Sequence, residues 1–190
     1  MSLPLNPAAR AALFLLSLGL AALLLVPNVR GYGAHRLALA AAEHQEWGRL
    51  EAAGAALQGA LRLTPQDAEL YRTLGDLEAA RFRWRKDPAA QEAALAAYTT
   101  ATALNPLDGR LYAAYAEELL RAGRFGAAHA ALAAALERDP NNALYHTLRG
   151  RLAEAEGDLG GEVNAYRRAE AIQPNAERGA RLEELLTRGE

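Results

Sequence analysis

Residues 105–140, NPLDGRLYAAYAEELLRAGRFGAAHAALAAALERDP, carry the pattern that decides the fold. Two segments with apolar residues at helical spacing flank a turn at Gly123, which predicts two antiparallel helices. The unit lies between Pro106 and Pro140, which are 34 positions apart. Because 34 residues is a known period of helix-turn-helix arrays, this stretch predicts one repeat of a solenoid.

The same proline spacing recurs on both sides of this unit. Pro174 lies 34 positions after Pro140, and Pro65 lies 41 positions before Pro106, which is one period plus seven extra residues. Residues suited to cap a following helix stand two positions after the first three prolines: Asp67, Asp108 and Asn142. The spacing therefore predicts four repeats, at 34–67, 68–108, 109–142 and 143–176.

These repeats resemble the tetratricopeptide repeat (TPR) family, whose pattern alternates small and large residues at fixed positions. The third repeat matches it with Tyr112, Tyr115, Ala116, Ala128, Leu132, Ala135 and Pro140. The fourth repeat departs from it, with Arg149 at position 7 and Glu162 at position 20. The resemblance covers residues 34–176 and implies an all-α, TPR-type solenoid of about four repeats. Residues 177–188 form an amphipathic, charged segment that predicts a helix capping the open end.

The composition limits the chemistry that the chain offers. Ala and Leu dominate a hydrophobic content of 51%, and there is no cysteine to form a disulfide or a thiolate metal site. Residues 34–190 hold 19 basic and 23 acidic residues, a balance that does not favour nucleic acid. Ser2 and Ser17 are the only serines, and the four histidines are scattered. We therefore expect no enzyme activity, no cofactor and no metal site.

The first 33 residues differ from the rest, since they hold Arg10 and Arg30 and no acid. Ala11–Val26 has no charged residue, and Pro27 is expected to end its helix. We interpret residues 1–33 as a tail, an uncleaved transmembrane anchor and a linker, in preference to a cleaved signal peptide or a buried globular helix. This predicts a single-pass protein of a bacterial inner membrane, with the repeats on the periplasmic side. The spacing of Ser17 and Ala21 also allows a homodimer through the anchor.

The family resemblance places a concave groove on the first helix of each repeat. The side chains expected to face it are mostly charged: His35, Glu46, Glu69, Arg72, Asp76, Arg110, Glu117, Arg121, Arg151 and Glu154. Charges of both signs favour a protein or an extended peptide as the partner. Ala38 and Ala42 stand where carboxylate-clamping relatives have Lys and Asn, so binding of a chaperone tail is not expected. In the alternative interpretation, the groove charges pair with one another across neighbouring helices.

The seven extra residues of the second repeat fall around the sequence RFRWRKDPAAQ at 81–91. This cluster is the most basic and aromatic part of the chain, with Arg81, Arg83, Trp84, Arg85 and Lys86. One interpretation is a lobe for phosphate, an anionic glycan, a lipid headgroup or an acidic partner. The other is a lengthened helix whose cations are solvated and whose aromatic residues pack on a neighbour.

Together these features predict a membrane-anchored scaffold for protein–protein interaction in bacterial envelope assembly or transport. The alternative is a detached accessory region of an O-antigen ligase or polymerase type of glycan-transfer system, which the apolar segment and the Ala-rich repeats loosely resemble.

Overall fold

The computed structural model describes residues 7–46 and 48–188, and within them the chain forms nine α-helices. Their bounds are α1 Pro7–Glu46, α2 Leu50–Leu63, α3 Ala68–Arg85, α4 Pro88–Leu104, α5 Gly109–Arg121, α6 Phe125–Arg138, α7 Ala143–Glu156, α8 Leu159–Ile172 and α9 Ala176–Arg188. The helices fall into two compact units, one up to Gln66 and one from Asp67 onward.

In the first unit, α2 packs along the C-terminal part of α1. Leu63 lies against Gly33, and Leu37 lies against Gly59, so two glycines let leucine side chains approach the facing helix. The buried side chains of this unit are small or apolar: Ala34, Ala41, Leu50, Ala53, Leu57 and Ala60. A helix pair of this kind buries one apolar face.

In the second unit, three helix pairs follow one another: α3 with α4, α5 with α6, and α7 with α8. The first helices α3, α5 and α7 are neighbours, and α9 packs on α8. Small residues lie buried where the helix axes approach, namely Ala94, Ala101, Ala116, Ala128, Ala135 and Ala169. The predicted all-α, TPR-type solenoid is confirmed for this unit, because small buried residues alternate with large ones where successive helices pack.

The predicted caps of the second unit are confirmed. The side chain of Asp67 accepts hydrogen bonds from the amides of Glu69 and Leu70, at 3.0 and 3.3 Å. Asp108 and Asn142 cap α5 and α7 in the same way. Each cap satisfies amides that have no partner inside the helix, so these residues fix where each repeat starts.

The predicted transmembrane anchor, and with it the single-pass localisation, is wrong. No helix in the described residues is long and apolar enough to cross a membrane. The uncharged run Ala11–Val26 spans only about 24 Å, and a bilayer core is about 30 Å thick. The helix then continues into a polar stretch that includes Arg30 and Arg36.

Pro27 does not end a helix, contrary to the sequence prediction, because α1 runs without a break from Pro7 to Glu46. A proline inside a helix removes one backbone hydrogen bond. Ala and Leu before Pro27 favour the helix, whereas the residues after it, NVRGYG, are poor in helix formers. Residues 1–6 of the predicted ten-residue N-terminal tail lie outside the described residues. So do the side chains of Arg10 and Ala21, and the homodimer predicted through the anchor loses its basis with the anchor.

The seven extra residues of the second repeat lengthen both of its helices. Helix α3 has 18 residues and α4 has 17, whereas α5 has 13 and α6 has 14. The turn between them contains Lys86 in the left-handed conformation, with φ of 56°. The corresponding turns of the other three repeats hold glycine at positive φ: Gly48, Gly123 and Gly157. The extra residues therefore form a helical lobe, closed by a lysine where the other turns have glycine.

Candidate functional site

The candidate site is the face of the second unit formed by the first helices α3, α5 and α7 together with α9. It is lined by charged side chains that bind one another at short distances. Three groups of contacts follow one another along this face, and each is centred on an arginine or a glutamate that binds several partners.

The first group is centred on Arg72 of α3. Its guanidinium binds Glu69 and Asp76 on the same helix, both at 2.5 Å. The hydrogen bond with Glu69 is the main cause of a raised pKa for Arg72. The Tyr98 hydroxyl donates to Asp76 Oδ1 at 2.6 Å, so this group is also tied to α4. Burial, followed by the charge of Asp76, raises the pKa of Tyr98, which keeps the phenol a neutral donor.

The second group joins α5 to α7 through Glu117. Its Oε1 accepts from Arg121 Nη2 at 2.6 Å and from Arg151 Nη1 at 3.0 Å. Arg121 also binds the fully buried Glu118 at 3.1 Å. The contact between Glu117 and Arg151 crosses from one repeat to the next, so it fixes the spacing of two groove helices.

Arg110, also predicted to face the groove, binds the cap of its own helix. Its side chain binds Asp108 Oδ2 at 2.7 Å and is mostly exposed. The hydrogen bond from Arg110 is the main cause of a lowered pKa for Asp108. Arg110 thus strengthens an N-cap and joins neither of the two groups described above.

The third group is centred on Arg181 of the capping helix α9. Its guanidinium binds Glu154 of α7 at 2.7 Å, Glu162 of α8 at 3.0 Å and Glu184 of α9 at 3.0 Å. Glu162 is buried, with 5% of its surface exposed, at the position where the first three repeats have alanine. The departure of the fourth repeat from the family pattern therefore has a cause, since the capping helix supplies the partner for this carboxylate.

A cleft of about 630 Å³ lies between α7 and α9 at this end of the face. Thr147, Arg151 and Glu154 line one side, and the other side is formed by Glu177, Arg178, Arg181 and Glu184 of α9. The buried ring of Tyr166 forms part of the lining. A cleft of this volume with charges of both signs has room for a short polypeptide segment.

The structure thus brings together six of the ten predicted groove residues in two contact groups, Glu69 with Arg72 and Asp76, and Glu117 with Arg121 and Arg151. Glu154 belongs to the third group through Arg181, and His35 and Glu46 lie on α1 in the first unit. The pairing of groove charges, considered from the sequence as an alternative, is present both within helices and between α5 and α7. Sequence reasoning missed Glu118, Arg178 and Arg181, and it noted Glu162 only as a departure from the family pattern. It did not assign Tyr98 to the site, although a tyrosine beside a charged helix is a usable signal for a buried hydrogen bond.

The insertion residues lie at the turn between α3 and α4. Arg81 is half-buried and binds Glu78 at 2.7 Å on the same helix. Arg83, Trp84, Arg85 and Lys86 are exposed, and the Trp84 side chain is 78% exposed. Lys86 Nζ lies 6.0 Å from the centre of the half-buried Phe82 ring. The helix is lengthened, as the second interpretation predicts, but Trp84 is exposed and does not pack on a neighbour. Binding by these residues stays a prediction.

The helix pairs and the charged face of the second unit define an α-helical repeat protein. Residues 90–152 match the sequence model of the tetratricopeptide repeat family. This match and the structural similarities described next support the family that the sequence predicted. No curated protein matches the sequence.

Several solved structures are similar to this chain. TTC0263, a thermophilic TPR protein of Thermus thermophilus, superposes with a TM-score of 0.71 at 21% identity, over 94% of this chain and 96% of that chain. MamA from Desulfovibrio magneticus RS-1 gives a TM-score of 0.67 at 18% identity, over 83% and 85% of the two chains. At these identities the similarity shows the fold.

The first TPR domain of Spaghetti (RPAP3), solved bound to the HSP90 peptide SRMEEVD, is also similar. It superposes with a TM-score of 0.54 at 19% identity, over 64% of this chain and 92% of that chain.

Proposed function

We propose that the chain is a protein-interaction scaffold that holds an extended polypeptide segment on the face formed by α3, α5, α7 and α9. The observation that carries this proposal is the cleft of about 630 Å³ between α7 and α9, which continues the row of ion pairs on α3 and α5. Its walls carry arginines and glutamates in equal number, Arg151, Arg178 and Arg181 against Glu154, Glu177 and Glu184.

The paired charges favour a polypeptide over a small anion. Every carboxylate and every guanidinium in the three groups already has a partner of opposite sign, so a single anion gains little net attraction. A polypeptide offers backbone donors and acceptors along its length, and these groups can bind half-exposed side chains without separating the ion pairs. Arg151 suits this role because its side chain is 43% exposed and its planar guanidinium carries five donors.

The similarity to the peptide-bound domain of Spaghetti (RPAP3) supports a peptide as the ligand class. A role in bacterial envelope assembly, expected from the sequence, depended on the membrane anchor and loses that support with it. The glycan-transfer alternative depended on the same apolar segment, and no contact in the described residues favours it. The proposal is therefore restricted to polypeptide binding.

A displayed library of short random peptides, selected on the full chain, tests this function. We expect enriched peptides whose affinity, measured by calorimetry, falls about tenfold with Arg151→Ala, since that change removes about 1.4 kcal/mol of hydrogen bonding. Arg149→Ala is the matched control, because Arg149 is exposed on the same helix but lines a different cavity, with His129 and Leu136. Equal affinities of the two variants, or no enrichment of any peptide, would contradict the proposal.

A further inference from the structure

The lobe at the turn between α3 and α4 extends beyond the neighbouring repeat. Helix α3 is five residues longer than α5, which adds about 7.5 Å at 1.5 Å per residue. Arg124, in the corresponding turn of the next repeat, binds Glu92 of α4. The turn between α5 and α6 therefore lies beside Glu92 of α4. Residues 83–88 extend beyond this turn, and all of them are exposed to solvent.

The charge of the lobe is opposite to that of the rest of its unit. Residues 81–86 hold four cations and no acid, namely Arg81, Arg83, Arg85 and Lys86. The remaining residues between 67 and 190 hold 12 basic and 20 acidic residues. Residues 81–86 thus form a positively charged tip on a negatively charged unit, the body. Such a tip attracts a short acidic segment that touches only the tip. A long polyanion, in contrast, is repelled by the body over most of its length.

Trp84 provides apolar contact area at the centre of this positive tip. Its side chain is 78% exposed, between the exposed Arg83 and Arg85. Tryptophan and arginine are among the residues most enriched at the positions that dominate binding energy in protein interfaces. A large exposed aromatic ring flanked by cations thus has the chemistry of a binding surface.

The turn itself keeps a conformation that lysine adopts poorly. Lys86 has φ of 56°, whereas Gly48, Gly123 and Gly157 serve the corresponding turns. The strained lysine adds a fourth cation to the tip and lies over the Phe82 ring. Residues held in such conformations cluster at functional sites.

We propose that the lobe, defined by Arg83, Trp84, Arg85 and Lys86, is a second binding surface that takes an acidic polypeptide segment with an apolar residue. Carboxylates of the segment contact the cations of the tip, and the apolar residue covers Trp84. This surface is separate from the charged face of α3, α5, α7 and α9, so the two sites are tested by different substitutions.

The experiment is selection of a displayed library of short random peptides on the full chain, followed by titration of each enriched peptide. We expect a class of peptides rich in Asp and Glu, with an aromatic or aliphatic residue. Its affinity falls more than about tenfold with Trp84→Ala and at least about fivefold with Arg83→Gln combined with Lys86→Asn. It also falls as NaCl is raised, because exposed charges are screened.

Three variants serve as controls that must leave this class of peptides unaffected. Arg149→Gln with Arg167→Gln removes two exposed cations elsewhere, and Leu107→Ala removes another apolar side chain, 84% exposed. Arg151→Ala alters the cleft between α7 and α9. It should weaken only the peptides that bind the cleft, which separates the two sites.

Two results would overturn the proposal. One is an enriched set with no acidic peptide whose affinity depends on Trp84. The other is binding of phosphatidylglycerol vesicles or of an oligothymidylate that depends on Trp84 and is at least as tight as binding of the acidic peptides. That result would assign the lobe to a lipid surface or to nucleic acid.

Discussion

Gly75 of α3 faces the ring of Tyr98 of α4 so closely that a Cβ on the glycine would stand 2.8 Å from Tyr98 Cε1. Gly150 and Tyr166 repeat this relationship in the fourth repeat, where the nearest ring atom would be at 2.9 Å. The first and third repeats have Ala and Leu at the same two positions, Ala41 with Leu57 and Ala116 with Leu132. All of these residues are buried, so the repeats use two complementary pairs, one of glycine with tyrosine and one of alanine with leucine.

Gly75→Ala is expected to lower the free energy of unfolding by about 1–3 kcal/mol, because the added methyl overlaps the Tyr98 ring. The double variant with Tyr98→Leu recreates the pair of the third repeat. It should be destabilised by less than the sum of the two single changes, with a coupling of at least about 1 kcal/mol. Urea unfolding of the four proteins measures this cycle.

The control for this cycle is Gly126→Ala, since its added methyl would meet no atom within 4 Å beyond its chain neighbours and its own turn of helix backbone. Alanine in place of this helical glycine should stabilise the protein by about 0.5–1 kcal/mol. If Gly75→Ala behaved like Gly126→Ala, the close approach of the two helices would be wrong.

Ala128→Arg is expected to destabilise the second unit by several kcal/mol. Ala128 is 1% exposed in the core shared by α5, α6 and α7, so arginine there buries an unpaired charge and overfills the site. The control is Ala130→Arg on the same helix, at an exposed position. Thermal unfolding of the two variants checks this, and similar melting curves would contradict the repeat register.

The sequence predicted those features that depend on residues near one another in the chain. The proline period, the caps Asp67, Asp108 and Asn142, and the small residues at helix contacts are each readable from a window of one repeat. The partner of Glu162 was not predictable in this way, because Arg181 lies 19 positions later on the capping helix.

Helix α1 shows a second limit of sequence reasoning. Proline is a strong signal for a helix end, but α1 continues through Pro27 into NVRGYG, so local helix propensity does not explain the continuation. The length of the insertion was also readable from the sequence, whereas its division between α3 and α4 depends on where the turn at Lys86 closes.

Arg181→Ala is expected to destabilise the protein by about 3 kcal/mol, since it leaves the Glu162 carboxylate buried without its cation. Glu162→Ala should be less harmful, because it restores the alanine of the first three repeats and leaves Arg181 bound to Glu154 and Glu184. The double variant should recover part of the loss caused by Arg181→Ala. Urea unfolding and hydrogen exchange of α9 amides measure these effects, and equal losses for both single variants would refute the asymmetry.

The stability contributed by Asp108 is expected to depend on pH in the acid range. Its pKa in the folded protein lies below that of an unfolded aspartate, about 3.9, mainly because Arg110 donates to it. The contribution of Asp108 to stability is therefore complete above about pH 5. It is lost as the pH falls through the pKa of Asp108 in the folded protein. Asp108→Asn keeps the cap and should flatten the change in unfolding free energy between about pH 5 and pH 3. An unchanged pH profile would contradict the role of this pair.

Lys86→Gly is expected to raise the free energy of unfolding by about 1 kcal/mol, because glycine adopts positive φ without the steric strain of a side chain. The reverse change, Gly123→Lys, places a lysine in the equivalent turn of the third repeat and should lower it by a similar amount. The same Lys86→Gly protein should bind acidic peptides more weakly, since the tip loses one of its cations. A variant that is more stable but binds less well separates the two effects, as expected where a strained residue is kept for binding. If Lys86→Gly left stability unchanged, the turn would not be strained, and the lysine would need no functional explanation.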